Sequence, residues 1–139
     1  MRLCVVFIMI GVVNLGCGEE GLKSPILADV CVGTIETSCS QQSVSGQSTL
    51  LLLLGYHFTP VWEIDLGHGD PPKPLGQFRV FMDAHEIGPA TLREDTLWGY
   101  EAVEATMPES LEPGLYDVTL QTPSGKSAEL SDAFTLLPP

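Results

Sequence analysis

The chain has 139 residues, with 6 Lys+Arg against 18 Asp+Glu, a formal net charge of −12 and 44% hydrophobic residues. That length suffices for one domain with a substantial core. The acidic balance argues against nucleic acid and anionic lipid as electrostatic partners. It suits either a solvated acidic surface or a basic or divalent-cation partner.

The first segment is an export signal by pattern. Arg2 is a positive start, Leu3 to Val13 is continuously apolar, and Asn14-Leu15-Gly16-Cys17 follows. The run is too short for a transmembrane helix, which needs about 20 apolar residues. It fits a secretory signal peptide over 1–16. A plain signal peptide that happens to carry a Cys is the competing reading. Residues 17–24, after the signal, form a polar, Gly-containing tether. Two cysteines then remain for the body, Cys31 and Cys39, and such a pair in an oxidising compartment reads as a structural disulfide. Closing a loop of about nine residues contributes roughly 2.5 kcal/mol in the chain-entropy model.

From Pro25 the signals are β throughout. Ile26 to Val32 is a first strand, followed by a Ser/Thr/Gln-rich connection through Ser48. Thr49 to Leu54 carries five consecutive Leu, which suits a strand buried on both faces, and Gly55 marks a bend. Between Pro60 and Gly76 the density of Pro and Gly predicts irregular structure. Gln77 to Asp83 alternates, with Phe78, Val80 and Met82 on one face. A turn at 83–85 leads into His85 to Leu92, and Tyr100 to Met107 ends at Pro108. Leu115 to Gln121 alternates again, with Tyr116, Val118 and Leu120 inward, and Ala128 to Leu137 closes the chain. No stretch has the caps and periodicity of an amphipathic helix. Seven or so short strands between Gly/Pro turns predict an all-β sandwich.

Chemistry-bearing clusters are sparse. Asp65, His68 and Asp70, with Glu63 just before them, have a composition that can ligate a divalent metal, and equally that of an exposed loop. Neither an EF-hand pattern nor His-Glu-x-x-His is present, nor a Gly-x-Ser-x-Gly elbow. Glu94 and Asp95 are adjacent and suit no two-carboxylate mechanism. Trp62, Trp98 and Tyr100 offer a sugar-stacking platform or simply core and sheet-edge aromatics. Nothing specifies an enzyme, and no cofactor is implied.

Two family resemblances sharpen this picture. At Gly16-Cys17 the chain resembles a bacterial lipoprotein signal, whose lipobox places a small residue before an invariant Cys; it departs from that pattern at Asn14. The resemblance implies cleavage before Cys17, acylation of its thiol and new amino terminus by palmitate-type chains, and anchoring in a membrane. With Gly18 in place of Asp after the Cys, it points to the outer membrane of a Gram-negative envelope. Removal of 1–16 takes Arg2 away and leaves a net charge of −13.

The second resemblance rests on Ser24-Pro25-Ile26, on Gly46 to Phe58, and on Leu111 to Phe134. Gly55 and Phe58 match a Gly-x-x-Phe step. Gly114, Tyr116, Val118 and Leu120 match a late Pro-x-Gly-x-Tyr-x-Val-x-Val strand, and Pro123, Gly125 and Phe134 match its ending. These residues resemble an IPT/TIG immunoglobulin-like domain over 25–137, with an insertion at 60–76 and a lengthened first connection at 31–39. Tyr116 would then form a tyrosine corner, its hydroxyl bonded to backbone before its strand. Together the resemblances imply a non-enzymatic, lipid-anchored envelope protein acting through contacts with an envelope or surface protein or a glycan. The alternative is a small metal- or carbohydrate-binding lipoprotein that uses the 60–76 loop.

Overall fold

Alternating apolar and polar residues become strands here, and among the described residues there is no helix. The computed structural model describes residues 23–33, 39–64, 67, 69 and 71–139, with the backbone of Cys4–Met9 and Val12–Asn14. The strands are β1 (Cys4–Met9), β2 (Val12–Asn14), β3 (Ile26–Val32), β4 (Gln42–Val44), β5 (Thr49–Tyr56) and β6 (Val61–Ile64). They continue with β7 (Lys73–Pro74), β8 (Phe78–Met82), β9 (His85–Leu92), β10 (Glu101–Met107), β11 (Gly114–Gln121) and β12 (Ser127–Leu137).

Eight of these form one ladder in the order β3-β5-β10-β9-β8-β11-β12-β4. The ladder folds back so that β12 also packs against β3, giving a β-sandwich that encloses the main core. All its pairings are antiparallel except β4 on β12, which is parallel. The chain therefore leaves β3 in one half and reappears as β4 on the far edge of the other. The Cys31–Cys39 disulfide fastens this switch, as the count of cysteines predicts. Backbone bonds between Val32 and Ser40 hold the same corner.

The core follows from period-two patterning. Val80, Met82, Val118, Leu120, Val103 and Phe134 are completely buried, and each such side chain contributes about 1.5–3 kcal/mol on leaving water. β5 shows why its five-Leu run lacks alternation. Leu51 and Leu53 face the main core, whereas Leu52 and Leu54 face a second apolar cluster with Cys31, Leu97 and Ala102. Both faces are covered, so both demand apolar residues.

Gly55 does not end this strand as a bend; β5 runs through it to Tyr56. A Cβ there would lie 1.9 Å from the Ile26 carbonyl oxygen and 2.6 Å from the Phe58 ring, so only glycine fits. His57 then turns the chain with φ 62°, and Phe58 drops back into the core. The Phe58 N–H is satisfied by the Glu101 carboxylate at 2.8 Å.

Two further expectations change. The 40–48 connection contains β4, a polar edge strand whose register comes from β12 rather than from any hydrophobic pattern. The 60–76 segment is not irregular throughout: β6 and β7 pair as an antiparallel hairpin. Pro74 is tolerated because Leu75 N–H, not residue 74, donates to the Val61 carbonyl at 2.7 Å. Trp62 and Pro74 thereby face each other at a position that makes no ladder bond. β6, β7, β1 and β2 make a separate small sheet, with β1 added parallel to β6.

Candidate functional site

The sandwich itself accounts for most of its polar side chains structurally. The Tyr116 hydroxyl donates to the Glu112 carbonyl at 2.6 Å, the tyrosine corner expected from sequence. Burial, reinforced by Asp83 and Glu112, pushes this hydroxyl above the usual tyrosine pKa. Asp83 accepts from the Asp117 N–H at 2.9 Å, and Asp117 accepts from the Asp132 N–H at 2.7 Å. These carboxylates tie off backbone groups where β11 and β12 slip register between Tyr116 and Val118. Arg79 is engaged with the exposed Glu86 and lies over the Phe81 ring at 5.1 Å.

Among the described residues, one place that folding leaves unexplained is a cleft between the β6–β7 hairpin and the sandwich. Its volume is about 530 Å³, within the range of small-molecule and peptide sites. Val61, Trp62 and Pro74 supply the hairpin wall; Phe78, Ala90 and Leu92 supply the β8–β9 wall. Gly76 and Pro123 also line it, close to each other. A Cβ on Gly76 would lie 3.3 Å from Pro123 Cβ, and φ there is +76°, so the glycine permits both the turn and the approach.

Arg93 and Glu94 are the charged residues at this cleft. Arg93 is already committed: it bonds both oxygens of Asp95 at 2.9 and 3.0 Å and also bonds Glu104. Those bonds, Asp95 first, raise the guanidinium pKa further, and they hold the Asp95 carboxyl below the usual carboxylate range. The cation at the mouth is thus neutralised by its own neighbours. What remains is a mainly apolar slot with an aromatic on each wall, Trp62 and Phe78, and the Glu94 carboxylate as its other charge. It is better suited to an apolar ligand or side chain than to an anion.

Of the residues singled out in sequence, Trp62 lines this cleft and Glu63 lies half-buried beside it on β6. Asp65, His68 and Asp70 lie outside the described residues, as does Cys17. Among the described residues no three His, Cys, Asp or Glu side chains gather as a metal cluster. His57 and His85 sit elsewhere, in the turn after β5 and at the start of β9. The three aromatics do not form one platform. Tyr100 packs on Tyr56 with centroids 5.2 Å apart, and the cleft that Trp62 lines includes neither Tyr100 nor Trp98.

Trp98 is the residue whose situation the sequence conceals. Reciprocal bonds between Leu97 and Tyr100 close a two-residue turn around Trp98 and Gly99, with φ 51° and 83°. Positive φ at both positions is the type I′ pattern, which favours Asn-Gly. A bulky residue is strained there, and this one is 53% exposed. The adjacent Trp-Gly pair is the only hint in the sequence.

No protein-family model matches the chain, and no curated protein does.

Proposed function

We propose that this chain is a non-enzymatic binding module of a bacterial envelope, held at the outer membrane by lipid on Cys17. Its IPT/TIG-like sandwich would present the hairpin cleft to an envelope or surface partner. The observation that carries the binding assignment is the cleft itself: about 530 Å³, apolar on both walls, and unexplained by the needs of the core. The anchor rests on the Gly16-Cys17 motif and its apolar leader. Export is consistent with the Cys31–Cys39 disulfide.

The test is capture from detergent-solubilised envelope by the full-length exported protein, with and without Ala90→Trp, which fills the cleft. Loss of a specific captured species in the variant is expected; identical capture would refute the assignment. Cys17→Ala tests the anchor, since it should release the protein from membranes and abolish acyl mass. Trp62 on the cleft wall favours one second reading, a carbohydrate ligand stacked on its indole. Calorimetric titration with cell-envelope glycans checks it, and heat that Trp62→Ala removes would support it.

A further inference from the structure

β6 has two edges with different fates. Val61 C=O is taken by Leu75 N–H of the hairpin, so the backbone groups of Val61 and Glu63 point toward β7. In a strand the next residues point the other way, so Trp62 and Ile64 present their N–H and C=O groups on the opposite edge. The segment paired there is β1, in parallel register from Cys4↔Val61 to Phe7↔Ile64. Residues 4–9 fall within the 1–16 leader of the proposed function. With that leader cleaved as the proposed function has it, the edge has no strand of the sandwich to pair with, because the eight-stranded ladder does not include β6.

We propose that this edge of β6 docks an extended, apolar peptide strand from a partner protein, added in parallel beside the cleft. Three observations converge on that occupant. An added strand satisfies the Trp62 and Ile64 backbone groups, the general logic of β-strand addition. The seated segment Cys-Val-Val-Phe-Ile-Met is uncharged and apolar, which indicates the chemistry the edge accepts. Val61 and Trp62 belong at once to this strand and to the apolar cleft wall, so the edge and the pocket are continuous. Main-chain bonds along β6 would provide affinity, and the cleft would select an apolar side chain. The inference rests on the reading of the cleft as a binding site and on removal of the leader, and it gives the ligand a class.

The experiment uses the exported, processed protein in nanodiscs and a labelled peptide with the sequence Ser-Val-Val-Phe-Ile-Met flanked by Lys pairs. Saturable binding with slowed amide exchange over 61–64 is expected. Ile64→Pro removes one edge donor and should weaken binding about ten-fold, the loss of roughly one backbone hydrogen bond. A peptide N-methylated at alternate residues should lose binding in one phase of methylation and keep it in the other, leaving the protein unaltered. Binding indifferent to both changes, or without protection at 61–64, would overturn strand addition. So would an exported protein whose mass still includes residues 1–16. Ala90→Trp separates the two ideas: envelope capture that it blocks, in a protein that ignores the peptide, leaves the cleft assignment standing and removes this one.

Discussion

The sandwich and the hairpin that overhangs it obey different rules. In the sandwich nearly every residue is fixed by what it touches: Leu53 by the main core, Leu52 by the second cluster, Gly55 by the Ile26 carbonyl, Tyr116 by Glu112. In the hairpin all four residues of β6 are only partly buried, and β7 is exposed. A core position is costly to change and does little else. A hairpin position is cheaper to change and either lines the cleft or meets solvent. If that contrast is right, stability and binding should separate cleanly between the two regions.

The sharpest break should come from β5. Leu53→Ala removes a completely buried side chain and should cost about 2–5 kcal/mol in urea unfolding. Gly55→Ala should be comparably severe, since backbone rather than a flexible side chain blocks the new methyl. Trp62→Ala, on the hairpin, should cost less than about 1 kcal/mol while abolishing capture of the cleft's partner. A Trp62 variant that unfolds as readily as Leu53→Ala would erase the distinction.

Next in size is the disulfide. Replacing Cys31 and Cys39 together by Ser should lower stability by about 2.5 kcal/mol, the unfolded-state entropy of so short a loop. Amide exchange should locate the opening at the β3–β4 corner and in the Leu52–Leu97 cluster that the bridge covers. Uniform acceleration across both halves would mean that the bridge supports the whole sandwich and not one corner.

Tyr116→Phe comes third, at about 1 kcal/mol for a partly buried hydrogen bond. It also carries a pH signature. The folded hydroxyl titrates above its ordinary value of about 10, because burial disfavours the phenolate. Its contribution is therefore complete below about pH 10 and is lost as pH rises through the folded value. Stability of the parent should fall more steeply above pH 10 than that of Tyr116→Phe. Parallel curves would mean that the corner tyrosine ionises as easily folded as unfolded.

These same residues mark what the sequence disclosed. Period-two alternation located β8 and β11, because one face of each must be apolar, while β3 falls on the run Ile26–Val32 and β12 on the closing stretch that holds Phe134 and Leu136. The five-Leu run was legible as a doubly covered strand, though not what covered it, since Leu97 and Ala102 arrive from far along the chain. β4 left no trace, because an edge strand with polar exposed residues needs no apolar face. The hairpin was hidden by its own prolines, whose density argues against strands unless each falls at a position without a ladder bond. The cleft was invisible for a different reason. Its walls come from 61–62, 78, 90–92 and 123, and only the fold brings these together. The metal-type cluster at Asp65, His68 and Asp70 lies outside the described residues.

The smallest effect tests the contrast from the opposite side. Trp98 belongs to the sandwich by position yet behaves as a hairpin residue does, half out in solvent on a left-handed turn. A non-glycine residue pays about 1–2 kcal/mol for that conformation, and Asn is among the few that hydrogen-bond locally there. Trp98→Asn should therefore stabilise the protein by about 0.5–1 kcal/mol, read as a shift in the urea midpoint at unchanged slope. A gain would mean that the indole is displayed at the expense of stability, which aligns this turn with the overhanging hairpin as a second contact surface. A loss would place Trp98 with Leu97 in the packing of the outer cluster, and the turn would then belong to the sandwich in energy as well as in position.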